Sequence, residues 1–213
     1  MANLLAVQSE ITPAGQEERS FIEIARRAQI IECAINAIAE LGYAKASLAE
    51  IAKRAGVSKG VISYHFAGKS ELIQQVVNSL LEKGEAMMVP RVIAERGAIA
   101  MLRAYIETNI EFLGSHHTHV QAVMNISVSA RDDEGMPIID LFRPLKQLAS
   151  ELEKLLLYGQ QRGEFREFST KAMAITIRSA IDAIAALLTL DPKLDLESYA
   201  KELVTLFDLA TRK

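Results

Sequence analysis

Apolar residues recur at intervals of three and four through almost the whole chain, and no window alternates apolar with polar as a half-buried strand would. Ile24, Ala28, Ile31, Ile35 and Ile38 form the stripe of an amphipathic helix, which stops at Gly42, a residue suited to a C-cap. Ser47-Leu48-Ala49-Glu50 then reads as a capping box, with the serine accepting from the backbone three residues on and the glutamate reaching back. Leu48, Ile51, Ala52 and Ala55 supply the buried face of this short second helix, which ends at Gly56. Ser58 can cap a third helix, with Val57 placed to staple against Ile62, while Ile62 and Phe66 point inward together. Gly68 breaks it, and a fourth helix begins near Lys69 with Leu72, Val76 and Leu80 as its inner line. Further helical patterns cover roughly 92–114, 117–131, 137–162, 170–190 and 195–211, separated by the turn-like stretches GSHH, DDEGMP, GEFREFS and DPKLD. The pattern predicts an all-α chain of about nine helices.

Within that pattern, Gly56-Val57-Ser58-Lys59-Gly60 matches the G-x-S-x-G of a hydrolase nucleophile elbow. An elbow needs a strand to feed its sharp turn, whereas here a capped helix precedes Gly56 and no parallel sheet is predicted. Two short helices joined at Gly56-Val57 make a helix-turn-helix instead, with 58–66 as the helix that enters a major groove. Gly60, Ser63 and Tyr64 then lie outward, with Lys59 in the first turn and His65 at the boundary.

The net charge of −3 does not suggest a nucleic-acid binder, but its distribution does. Residues 41–70 hold Lys45, Lys53, Arg54, Lys59 and Lys69 against the single anion Glu50, so the acidic excess lies elsewhere in the chain. A basic patch on an acidic body fits one end that meets phosphate. The single cysteine, Cys33, excludes an intramolecular disulfide and reads as a small core residue of a protein in a reducing compartment. Residues 1–17 lack the basic start of a signal peptide and are expected to be a disordered tail. No membrane span is expected, because the longest uncharged-looking run, Ala180 to Leu190, is short and contains Asp182. A cytoplasmic location follows as an expectation.

Gly42, Ser47, Ile51-Ala52, Ala55-Gly56-Val57-Ser58, Gly60, Ile62, Tyr64-His65-Phe66, Lys69 and Leu72 together resemble the DNA-binding domain of the tetracycline-repressor (TetR) family of bacterial transcription regulators. The resemblance covers about residues 24–81, with a looser match in GQQRGEF at 159–165; Ser63 stands where members often carry an aromatic. It implies a helix-turn-helix domain over 18–68 and a ligand-binding and dimerisation domain over 69–213, in a homodimeric repressor that leaves a palindromic double-stranded DNA operator when a small molecule binds. The expected DNA-binding residues are Ser47, Ser58, Lys59, Gly60, Ser63, Tyr64, His65 and Lys69. Lys69, at the start of the fourth helix, can join free backbone N–H groups in holding a phosphate.

The segment AMAITIRSAIDAIAALLTL is apolar around nearly its whole circumference and needs cover on every side. A second copy of the chain supplies it, and the resemblance likewise implies pairing through 170–190 and 195–211. The resemblance also implies an effector pocket in the central helices. Tyr105, Asn109 and Phe112 share one helical face and are the first candidates for its lining, followed by Met124, Asn125 and Phe142. With no charge among the first three, the expected effector is neutral or weakly polar. His116, His117 and His119 invite a metal, but no cysteine or carboxylate pair completes a site, so no metal or other cofactor is expected. The competing class is an all-α enzyme or metal-binding protein on a similar bundle; the basic patch and the capped helix-turn-helix weigh against it.

Overall fold

A computed structural model describes residues 14–131, 134–139 and 142–213. The described residues form helices α1 (Ala14–Leu41), α2 (Leu48–Ala55), α3 (Lys59–His65), α4 (Lys69–Ala94), α5 (Ala98–Ser115), α6 (His117–Ser129), α7 (Phe142–Gln161), α8 (Thr170–Leu190) and α9 (Leu196–Thr211), with two isolated β-bridges and no strand among them. The all-α expectation is met. Helix α1 begins at Ala14, well before the Ile24 where its apolar stripe starts, and residues 1–13 of the expected tail lie outside the described residues.

Two boundaries differ from the pattern. The helix expected at 92–114 is divided: α4 runs through Pro90 to Ala94, and α5 starts at Ala98 after Gly97, whose φ of 92° disfavours a side chain. The carboxylate of Glu164 caps the new helix, accepting from Ala98 N at 2.6 Å. This glutamate comes from GQQRGEF, whose other members also have structural roles. Gly163 adopts φ 71°, and Gly159 lies so close to Phe165 that an added Cβ would meet its ring at 2.2 Å. The helix expected at 137–162 begins only at Phe142, because Pro137 pairs with Arg131 in a bridge and Ile138 donates to Ala130 O.

Two apolar cores result. The first joins the inner faces of α1, α2, α3 and the start of α4 (Ile35, Ile38, Ile51, Ile62, Phe66, Leu72, Val76) to Ala122, Val123 and Ile126 of α6 and to Ile139. The second gathers α5, α7, α8 and α9 around Leu102, Ile106, Leu156, Ile177, Ile181 and Phe207. Leu80 packs against both. The small helical head is thus not closed on itself, since α6 completes its core.

Candidate nucleic-acid interface

Local capping sets the two short helices. Ser47 Oγ accepts from Glu50 N and Ser58 Oγ from Val61 N, while Gly56 turns the chain at φ 65°. Ile62 and Phe66 are buried, which rotates Lys59, Gly60, Ser63 and Tyr64 outward; Tyr64 is 73% exposed and His65 half-buried. Lys59, Gly60, Ser63 and Tyr64 are thus all exposed on α3, and the cap residues Ser47 and Ser58 are exposed as well. A Cβ added at Gly60 would meet only Ser58 Oγ at 3.6 Å, so the protein itself does not require glycine there.

The basic patch is more differentiated than its sequence suggests. Lys45, Lys53 and Lys59 are exposed. Arg54 instead ties α2 to α1, its Nη1 reaching Glu40 at 2.7 Å and its Nε reaching Glu50 at 2.9 Å. Lys69 is half-buried, its Nζ donating to Tyr43 O at 2.7 Å and lying 4.0 Å from the centre of the Tyr43 ring. Burial lowers its pKa. Its ammonium thus faces the loop before α2, while no side chain caps the start of α4 at Gly68.

Two residues of α1 that the pattern did not single out organise this surface. Arg27 donates to His65 O and to Glu71 Oε1 at 2.9 Å, with its guanidinium 4.3 Å above the Phe66 ring. Glu71 in turn accepts from Ala67 N at 2.7 Å, so the exit from α3 is held from both sides. Glu23 accepts from the Tyr64 hydroxyl at 3.1 Å, a hydrogen bond that raises the tyrosine's pKa. An arginine or a glutamate on an amphipathic helix reads as solvated surface; only the folded chain reveals partners about forty residues away.

The second candidate set lies inside the bundle. Asn109 is buried, donating to Tyr105 O at 2.8 Å and accepting from Arg178 Nη1 at 2.8 Å. Phe112 is buried beside Gly84 and stacks on His116 at 4.3 Å. Met124 packs against the second core. Asn125 does not join them: its amide donates to Ile38 O at 3.4 Å, bridging α6 to α1. Phe142 begins α7, and its side chain lies outside the described residues.

The absence of charge in this set is corrected by α8. Arg178, 7% exposed, places its guanidinium against the Tyr105 hydroxyl at 3.1 Å and against Asn109, and pairs with Asp182. An Arg and an Asp four apart in an otherwise apolar helix were a signal in the sequence that could have located this network. The histidines separate only in part: the rings of His116 and His119 stand edge to face, 6.1 Å between centres. His119 meets Lys83 Nζ at 2.9 Å and Glu32 Oε1 at 3.4 Å, His116 stacks on Phe112, and His117 is exposed at the start of α6.

Residues 30–76 match the model of the bacterial regulatory proteins of the tetR family. The HTH-type transcriptional regulator BetI 1 of Chromohalobacter salexigens is 37% identical over 87 residues, which make up 40% of this chain. The match spans only 43% of that relative's length. BetI of Cronobacter sakazakii is 29% identical over 161 residues, covering 73% of this chain and 80% of that protein. Among solved structures, the transcriptional regulator FadR of Bacillus subtilis in complex with stearoyl-CoA is similar at a TM-score of 0.72 and 25% identity, over 84% of this chain and 96% of that one.

Proposed function

Because the chain belongs to the TetR family of bacterial regulatory proteins, we propose that it is a homodimeric repressor, released from a palindromic operator in the cytoplasm by a small-molecule effector. The observation that carries the reading is the outward face of α3. Ile62 and Phe66 anchor the helix while Lys59, Gly60, Ser63 and Tyr64 are presented together, flanked by the cap residues Ser47 and Ser58. In this reading α3 enters the major groove. Gly60 lets the backbone come close to the bases, and Ser47, Ser58, Lys59, Tyr64, His65 and Lys69 hold phosphates or base edges.

Residues 18–68 are the DNA-binding domain and 69–213 the effector and dimerisation domain. The described part of α8 supports a dimer: Ile175, Ser179, Ala183, Leu187 and Leu190 step along one uncovered line of that helix, and Leu206 and Leu209 are exposed on α9. By length and composition alone, Thr170–Leu190 would also span a bilayer, but its other face, with Ile177, Arg178, Ile181 and Ile184, is packed into the protein. To read an inverted repeat, such a dimer must hold its two copies of α3 about one helical turn of DNA apart, roughly 34 Å. The effector, bound near Tyr105, Asn109, Phe112 and Met124, would favour a dimer whose reading helices no longer match that spacing. The similar FadR structure is a complex with stearoyl-CoA, which supports an effector-bound state for this chain.

The test is capture of genomic DNA fragments by the purified protein, followed by titration on a recovered fragment. Enrichment of a few sites with an inverted repeat is expected. Binding of every fragment equally, or of none, would overturn the regulator reading.

A further inference from the structure

Arg178 is a buried guanidinium held by a poor partner. Its Nε and Nη2 both reach the same oxygen of Asp182, at 3.0 and 2.7 Å, instead of meeting two carboxylate oxygens in parallel. Its Nη1 is shared between the Tyr105 hydroxyl and Asn109 Oδ1. The pair is also asymmetric: the Arg178 side chain is 8% exposed and the Asp182 side chain 37%. Asp182 can turn toward water, whereas Arg178 cannot leave.

Thr108, adjacent to Asn109 on α5 and 1% exposed, has a hydroxyl without a hydrogen-bond partner. The polar groups gathered here, a guanidinium, a phenol and an amide, lie among the apolar side chains of the second core, including Ile106, Ile177 and Ile181. The region offers hydrogen-bond donors and one fixed positive charge within an apolar surround.

Building on the reading of residues 69–213 as the effector domain, we propose that the effector is a carboxylic acid with an apolar body, whose carboxylate replaces that of Asp182 on Arg178. The exchange preserves charge balance at the guanidinium, as a buried ion requires. It also permits the parallel two-oxygen pairing that Asp182 does not make. The Tyr105 hydroxyl, already beside the guanidinium, would add a third donor. A neutral effector would have to leave the Arg178–Asp182 pair as it is, and a cationic one would meet the guanidinium directly.

The test measures binding of octanoate, decanoate and phenylacetate, each against its primary amide and against octanoyl-CoA, by calorimetry on the full chain. Wild type should bind at least one acid about tenfold or more tightly than its amide, the discrimination of one charge-assisted pair. Asp182→Asn removes the competing carboxylate, so it should bind that acid more tightly than wild type. Arg178→Lys keeps the charge but not the planar fork, and should lose most of the preference; circular dichroism confirms that each variant is folded. Three acids that bind no better than their amides, binding of octanoyl-CoA alone, or an Arg178→Lys protein that retains the preference would each overturn the assignment. DNA capture in parallel separates the two proposals. A protein that selects operator fragments but ignores the acids refutes only this one; a protein that binds an acid but no DNA refutes the regulator reading.

Discussion

Lys69 and Gly60 carry opposite lessons about single side chains on the reading surface. Lys69 lends its ammonium to Tyr43, yet it also stands at the uncapped start of α4. If its charge also reaches a phosphate, Lys69→Ala should weaken operator binding and lower the salt slope by about one per half-site. An unchanged slope would leave it only the tether to Tyr43. Gly60 meets almost nothing inside the protein, so Gly60→Ala should raise the unfolding free energy by up to ~1 kcal/mol while weakening the operator complex. Denaturant melts and DNA titrations read the two effects separately, and improved binding would remove Gly60 from the interface. At this scale the sequence was informative where partners are local: the caps at Ser47 and Ser58 close three residues on. It was silent where they are distant, as for Lys69 with Tyr43 and Arg27 with His65.

His119 gives the residue scale a pH axis. A lysine ammonium can only donate, so Nε2 of His119 accepts from Lys83 and the ring proton sits on Nδ1. Burial and the Lys83 charge lower its pKa below the ordinary 6.5, with Glu32 opposing and His116 adding to the effect. The folded state therefore resists protonation more than the unfolded chain does. The resulting stability is fully present above pH 6.5 and is lost as pH falls through 6.5 toward the lowered folded value. Urea midpoints at pH 7.5 and 5.5 should separate more in wild type than in His119→Gln; equal separation would show that this histidine is not responsible.

Among the elements, those with side-chain caps and a clear apolar stripe were legible, and α8 was placed at its observed ends, Thr170–Leu190. The start of α5 was not legible, because its cap is Glu164, more than sixty residues downstream. GQQRGEF, which the sequence offers only as a loose family resemblance, locks α7 against the head of α5. A Cβ at Gly159 would lie 2.2 Å from the Phe165 ring and 2.8 Å from Ala98 Cβ. Gly159→Ala should therefore destabilise the protein by about 1–3 kcal/mol through overpacking, despite alanine's better helix propensity. A thermal melt no lower than wild type would mean that Phe165 moves aside freely.

At the scale of the whole molecule, the outer line of α8 from Ile175 to Leu190 is left uncovered by the rest of the chain. Ala183 is exposed at its middle. If two copies pair there, Ala183→Arg buries an unmatched charge and should weaken the dimer by at least about a hundredfold, as sedimentation would show. A mutant as dimeric as wild type would place the contact elsewhere. The sequence supported this surface through a helix too apolar for one neighbour. The Arg178 network was half legible: Arg178 and Asp182 stand four apart on α8, whereas Tyr105 and Asn109 of α5 join them only on folding.

The sharing of the first core between α1–α4 and α6 has a consequence for protein engineering. A chimera that joins this reading head to the body of a relative would naturally be cut after residue 76, where the family match ends. That cut leaves Ala122, Val123 and Ile126 behind, together with the amide of Asn125 that meets Ile38 O. The transplanted head would then rest on a foreign α6 with a different contour. The portable module is discontinuous in sequence: the head plus the inner face of α6, moved together, should keep both its operator preference and its response to the new body, whereas the head alone should read DNA poorly or ignore the signal.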